Sequence, residues 1–369
     1  MIKLLQGLLA LLLLAAPLAR AQETALPPPP PLDPAAVRSV MRHAVEDVIR
    51  PGYADLARDA EAMKDRMERL CAAPSPEGLA AARDGFVTLT DAWARIEIVR
   101  IGPALEDSRF ERILFYPDRK GLGLRQIQAL LRDEDPAATQ LSSLADKSVA
   151  VQGLGALDYL LYGDGSDSTA TEAGAYRCRF AQAVAANVAR VSTALSDGWN
   201  APDGIGSAMI GFGPESPLFR TPDEAATALL GILVHGAEAV RDQRIESFYR
   251  GPDRQSFPRQ ALFWRSERTF PMIAGNLEGL RALFDGSQIA TLLPSDPLGT
   301  ADSIDFLLSN MARTARGMEP QAEAVLADPA QRQRLDYLLL SGKDLIQRLD
   351  GELGGAIGLS AGFSFQDGD

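Results

Sequence analysis

Between Arg50 and Leu70 the apolar residues Tyr53, Leu56, Ala60, Met63, Met67 and Leu70 recur at three- and four-residue steps, which is one face of an amphipathic helix. Pro51 stands where a first-turn proline is tolerated. A second stripe follows, made of Leu79, Ala82, Phe86, Leu89, Trp93 and Ile96, and Gly102-Pro103 ends it. Helical spacing resumes from Arg125 to Asp133, over 142–162 and from Glu172 to Trp199. It returns over Asp223–Ile245, Phe263–Asp285, Thr300–Met318 and Ala330–Leu359. No series of segments alternates with the two-residue period of a strand. The chain is therefore expected to be all-α, with two similar halves, each a bundle of antiparallel helices.

The five residues "LDYLL" occur at Leu157–Leu161 and again at Leu335–Leu339, each followed closely by a glycine, Gly163 and Gly342. Such an echo suits a shared helix layout in the two halves. Two breaks interrupt the periodicity. Residues 102–124 mix Gly, Pro and Asp with Phe110, Phe115 and Tyr116, and residues 197–222 are rich in Gly and Pro. The expected organisation is a first half over 36–200, a Gly/Pro-rich connection over 201–222 and a second half over 223–369.

The amino terminus reads as a leader. Met1-Ile2-Lys3 is followed by an apolar run and by Ala19-Arg20-Ala21, the pattern of a secretory signal peptide cleaved after Ala21. The run is short for a membrane span and ends in small residues. No later segment is apolar enough to cross a bilayer. Residues 22–35 hold five consecutive prolines, which favour an extended polyproline spacer. Removing residues 1–21 takes away Lys3 and Arg20 and no acid, so the formal charge moves from -12 to -14. An acidic surface argues against nucleic acid and anionic lipid as partners. Export to an oxidising compartment makes the two cysteines, Cys71 and Cys178, a disulfide candidate. Neither lies in a cluster with zinc-ligand spacing.

The two histidines each begin a His-x-x-Glu pattern, His43 with Glu46 and His235 with Glu238. Positions three apart share a helix face, and an imidazole with a carboxylate is a potential ligand pair for a divalent metal or iron. Gly153-x-Gly155 makes no dinucleotide fingerprint, because the third glycine and the strand-turn-helix setting are missing. On the helix leading to the 102–124 break, Trp93 and Glu97 share a face and Glu97 and Arg100 have the spacing of a salt bridge. Asp118 reads as a turn residue.

"VQGLGALDYLLYG" (Val151–Gly163), "AWARIEIVRIGP" (Ala92–Pro103), "ILFYPD" (Ile113–Asp118) and the terminal "GLSAGFSFQDGD" together resemble the imelysin-like proteins. The resemblance implies an exported or envelope-bound bacterial protein with an all-helical fold of two bundle-like halves. The family carries a metallopeptidase assignment, and many members are linked to iron regulation or uptake. Its motif is Gly-x-His-x-x-Glu. Here Gly153 matches the glycine, Gly155 stands in the histidine's place and Asp158 in the glutamate's. A glycine neither ligates a metal nor accepts a proton, so a peptidase site built on that histidine is not expected.

The leading expectation is a non-catalytic envelope protein that binds a small ligand or another envelope protein between its halves, in a function linked to iron uptake. The alternatives are a metal-dependent peptidase or metal carrier, and a structural adaptor. Gly153 and Gly155 are expected to let another helix or the 102–124 loop pack closely, with Asp158 at the contact. The alternative is that their missing side chains open a pocket.

Overall fold

The computed structural model describes residues 30–294 and 299–362. The leader expected at 1–21, residues 22–29 of the expected spacer, residues 295–298 and the final residues 363–369 lie outside these. Fourteen α-helices are present among the described residues. They are α1 (Pro34–Arg42), α2 (Arg50–Ala72), α3 (Pro76–Ile96), α4 (Arg109–Ile113), α5 (Leu122–Asp133), α6 (Leu141–Ala145) and α7 (Leu154–Tyr162). The rest are α8 (Ala175–Asn200), α9 (Ile205–Ile210), α10 (Pro222–Glu238), α11 (Thr269–Ser287), α12 (Thr300–Arg316), α13 (Ala322–Ala327) and α14 (Pro329–Gln347). No strand occurs among the described residues. The protein is all-α.

Four helices start by one local rule. Asp33, Ser75, Thr221 and Asp328 each accept a hydrogen bond from a backbone N–H in the first turn, and each is followed by proline. The side-chain oxygen satisfies an orphan donor, and proline's fixed φ suits the first helical position. Pro51 follows a different course. A π-helical turn at His43–Ile49 joins α1 to α2 without a break, so the helix is already under way where the proline stands. π-turns also extend α10 over Ala239–Ile245 and α14 over Arg348–Gly354.

Both apolar stripes face inward: every residue of the α2 and α3 stripes is buried. Helix α2 packs between α3 and α8, α11 packs against both α3 and α12, and α14 packs against α12 and α10. Helix α1 lies on α10, and the π-turn after it lies on α11. A single apolar core runs through all of these contacts. Trp199 of α8 stacks on Tyr53 of α2 with ring centroids 5.9 Å apart, and the Tyr53 hydroxyl donates to the Val99 carbonyl at 2.7 Å. Among the described residues, no helix is long and apolar enough to cross a membrane.

Two segments depart from their helical or irregular reading. The helical spacing that begins at Phe263 is interrupted by tight turns, and α11 starts only at Thr269. Phe263 and Glu267 take left-handed φ of 55° and 60°, which a right-handed helix does not accommodate. The 201–222 connection contains the short helix α9.

Cys71, near the end of α2, and Cys178 of α8 form a disulfide across a sequence separation of 107 residues. Closing a loop of that length removes about 4–5 kcal/mol of chain entropy from the unfolded state. Urea denaturation with and without reductant tests this: reduction, or Cys178→Ser, is expected to lower stability by several kcal/mol. An unchanged midpoint would show that packing of α2 on α8 makes the crosslink redundant.

Candidate functional site

Helix α7 carries the degenerate motif and is held at both ends. At its start, a Cβ on Gly153 would sit 2.3 Å from the Ile113 carbonyl oxygen and 2.6 Å from that of Arg112. Only glycine allows the 102–124 segment to approach so closely. At its end, the buried Arg177 guanidinium donates to the carbonyls of Tyr159, Leu160 and Asp164 at 2.7–2.9 Å, and Arg83 donates to Leu161 at 2.9 Å. These carbonyls include the orphan acceptors of a helix terminus. Burial lowers the pKa of Arg177.

The two glycines divide the roles expected of them together. Gly153 makes the close contact. Gly155 does not: an added Cβ there meets nothing within 4 Å, and Gly155 is the one exposed residue between Val151 and Leu161. The packing expectation fails at Gly155 because α7 turns this position away from its neighbours. It opens instead onto a cavity of about 160 Å³. Asp158, Tyr159, Tyr116, Trp264 and Arg265 line the same cavity.

Asp158 is 4 % exposed. Its Oδ1 accepts a hydrogen bond from Ser266 Oγ at 2.5 Å, and Arg265 Nη1 lies 3.9 Å from Oδ2. Burial pushes the carboxyl up to about 6, against the opposing pull of Ser266 and Arg265. The Arg265 guanidinium lies 4.4 Å from the Trp264 ring and 5.2 Å from the Tyr159 ring, within cation–π range. Tyr116 donates to the Gln260 carbonyl at 2.9 Å and shares a hydrogen bond with Ser247 at 2.6 Å. Chemically this wall presents aromatic faces, the three guanidinium groups of Arg119, Arg259 and Arg265, and one buried carboxylate whose pKa burial raises to about 6.

Asp118 also lines the cavity. Its carboxylate accepts from the N–H groups of Leu122 and Gly123 at 2.7 and 2.8 Å, so it caps α5. Trp93 is buried against Phe110 with ring centroids 5.2 Å apart and anchors the core. The expected Glu97–Arg100 bridge does not form, because α3 ends at Ile96 and the helical spacing lapses. Glu97 instead takes Arg244 Nε and Nη2 at 3.2 and 2.7 Å and Asn276 Nδ2 at 2.7 Å. Arg100 pairs with Glu111 at 2.6 Å.

The histidine pairs fare differently. His43 Nδ1 lies 2.7 Å from Asp47 Oδ2, one residue beyond the expected Glu46, which is exposed. His235 Nδ1 does meet Glu238 Oε2, at 2.9 Å, but His235 lines a different cavity from Asp158.

Sequence reasoning missed Ser266, Arg265, Arg244 and Asn276. Arg265 and Ser266 sit in "FWRSER", where a tryptophan amid arginines was the available signal. Arg244 and Asn276 carried none, since their partner Glu97 is 147 and 179 residues away in the chain.

A divalent metal does not fit the motif position. Gly155 offers no side-chain ligand, Asp158 is engaged by Ser266, and Arg265 brings a positive charge to the same carboxylate. Among the described residues, no group of three or more His, Cys, Asp or Glu side chains converges on one point.

The fold is all-helical, and a glycine-opened cavity lies in it beside a buried acid. The sequence pattern of the Imelysin family matches residues 49–349, and the chain belongs to that family. Among solved structures it is similar to an imelysin-like protein from Psychrobacter arcticum 273-4. Identity is 20 % and the TM-score 0.72, over 90 % of this chain and 100 % of the other. It is also similar to a protein described as an iron-regulated protein A precursor from Parabacteroides distasonis ATCC 8503. There identity is 14 % and the TM-score 0.73, over 89 % of this chain and 97 % of the other. No curated protein matches the chain.

Two outcomes follow from the site's electrostatics. Glu97 and Arg244 are 5 % and 4 % exposed, and Glu97→Ala would leave a buried arginine unpaired. A loss of about 3–5 kcal/mol in urea unfolding is expected, and a loss below 1 kcal/mol would show that the arginine finds another partner.

For Asp158 the folded pKa of about 6 exceeds the ordinary 3.8. Between these values the native state holds a proton that the unfolded chain has released. This group's contribution therefore favours the fold at the acidic end and is lost as pH rises through 6. Asp158→Asn is expected to gain stability relative to the parent between pH 4 and 7, by at most about 3 kcal/mol. Parallel stability–pH curves for the two proteins would refute burial as the cause.

Proposed function

We propose that this chain is an exported, non-catalytic ligand-binding protein of the bacterial envelope that serves iron uptake, with its binding site in the Gly155–Asp158 cavity. One observation carries the reading. Position 155, where the family motif has an imidazole, is open space next to a buried carboxylate. Losing the ring removes a metal ligand and a general base and enlarges the room for a bound molecule. The aromatic and arginine wall suits recognition by stacking and hydrogen bonding.

Export is supported by the leader-like residues 1–21 and the proline spacer after them. The Cys71–Cys178 disulfide suits an oxidising compartment. The iron link draws on the family and on the name of the Parabacteroides protein, a precursor described as iron-regulated.

Growth in iron-chelated medium tests the proposal. A deletion strain is expected to grow poorly there and to recover with the wild-type gene. A Gly155→Phe gene should fail to restore growth although the protein is exported and folded, because the ring fills the cavity. Normal growth of the deletion strain would end the iron role. Full rescue by Gly155→Phe would place the working site elsewhere.

A further inference from the structure

A second cavity, of about 210 Å³, lies beside the Glu97–Arg244 pair. It shares no lining residue with the Gly155 cavity. The two are neighbours, since the Arg244 guanidinium lies 5.1 Å from the ring of Tyr116, which belongs to the other. The walls of the second cavity are apolar: Ile98, Ile101, Phe110, Ile232 and Val240 line it.

Against these walls stand two guanidinium groups, one carboxylate and the imidazole of His235, whose Nδ1 lies 2.9 Å from Glu238 Oε2. Glu97 is taken by Arg244 and Asn276. Arg244 spends Nε and Nη2 on Glu97, and its buried Nη1 has no acceptor among the described residues. Arg100 spends Nη2 on Glu111 and lies 4.1 Å from the Phe110 ring, and its buried Nε has no acceptor among the described residues. Buried N–H groups without acceptors are uncommon in native proteins and point to a missing partner.

Gly231 of α10 lines the cavity as well. Glycine within a helix is unfavourable, and here no neighbour requires it: an added Cβ would meet nothing closer than 3.6 Å. One turn and a residue further on, Gly236 is different, because its Cβ would sit 2.8 Å from Leu280 Cδ2. Gly236 lets helices pack, whereas Gly231 keeps space empty.

We propose that this second cavity binds a small apolar carboxylic acid, its ring or short chain among the isoleucines and Phe110 and its carboxylate accepting from Arg100. An apolar cavity of about 150 Å³ holds benzene, so the space here takes one ring with a short acidic arm. The carboxylate gives the Arg100 guanidinium a second anionic partner beside Glu111, in a charge-assisted hydrogen bond. Arg100 is the half-exposed one of the two arginines, which sets the head toward the cavity mouth. This site is independent of the role assigned to the Gly155 cavity.

Titration calorimetry on the full mature chain tests it, with phenylacetate and hexanoate as acids and phenylacetamide as the neutral isostere. At least one acid is expected to bind, and the amide to bind about tenfold more weakly or worse than phenylacetate. Gly231→Leu fills the space from a position with steric room. It should abolish acid binding while the melting temperature stays at or above that of the parent. Arg100→Gln should weaken phenylacetate about tenfold and leave the amide unchanged. Gly155→Phe should leave acid binding intact. The proposal is overturned if neither acid binds, if acid and amide bind equally, if Gly231→Leu binds like the parent, or if Gly155→Phe abolishes binding.

Discussion

The close approach of α3 and α11 is the constraint on which the rest of the structure turns. Gly275 and Gly279 occupy successive turns of α11, and a Cβ on them would sit 2.6 Å from Ala94 Cβ and 2.0 Å from the Arg95 carbonyl oxygen. With the two backbones this near, Asn276 reaches the Ala94 carbonyl and Glu97 Oε1, both at 2.7 Å. Glu97 is thereby held just past the end of α3, where it meets Arg244 of the π-turn following α10. A buried ion pair contributes little net stability. Its consequence here is positional: three helical segments converge on one carboxylate, and Arg244 carries the contact onward to Tyr116.

The motif helix is fixed by separate means. Gly153 brings its first turn against the 102–124 segment, and Arg177 and Arg83 hold its last carbonyls. Between these fixed ends Gly155 has no packing duty, and the missing side chain becomes volume. Two glycines two residues apart thus do opposite things. One removes space between chain segments and the other supplies it.

The chemistry of the Asp158 environment follows from what surrounds the carboxylate. Burial raises its pKa, and the serine hydroxyl and the arginine act against burial without restoring the ordinary value. With no imidazole beside it, this acid is a hydrogen-bonding and charge-responsive element of a wall. The Arg265 guanidinium lies within cation–π range of both the Trp264 and the Tyr159 rings of that wall.

The helices of this protein were legible in its sequence. The stripes of α2 and α3 repeat at helical spacing and are buried without exception, because amphipathicity is a local property of the chain. The glycines at 153 and 155 and the acid at 158 were legible too, since they are a matter of residue identity. The turn at 261–268 was not, because left-handed φ at Phe263 and Glu267 is imposed by surroundings rather than by residue type. Nor were the partners of Glu97, Asp158 and His43. Spacing along a helix says which residues can meet within one turn, and α3 ends before that rule could pair Glu97 with Arg100. Sequence alone determined that the chain is helical and that position 155 carries no side chain. Only the tertiary structure decided which glycine packs, which one opens a cavity and which charges meet, because those outcomes depend on where separate segments come together, for Glu97 and Asp158 from more than a hundred residues apart.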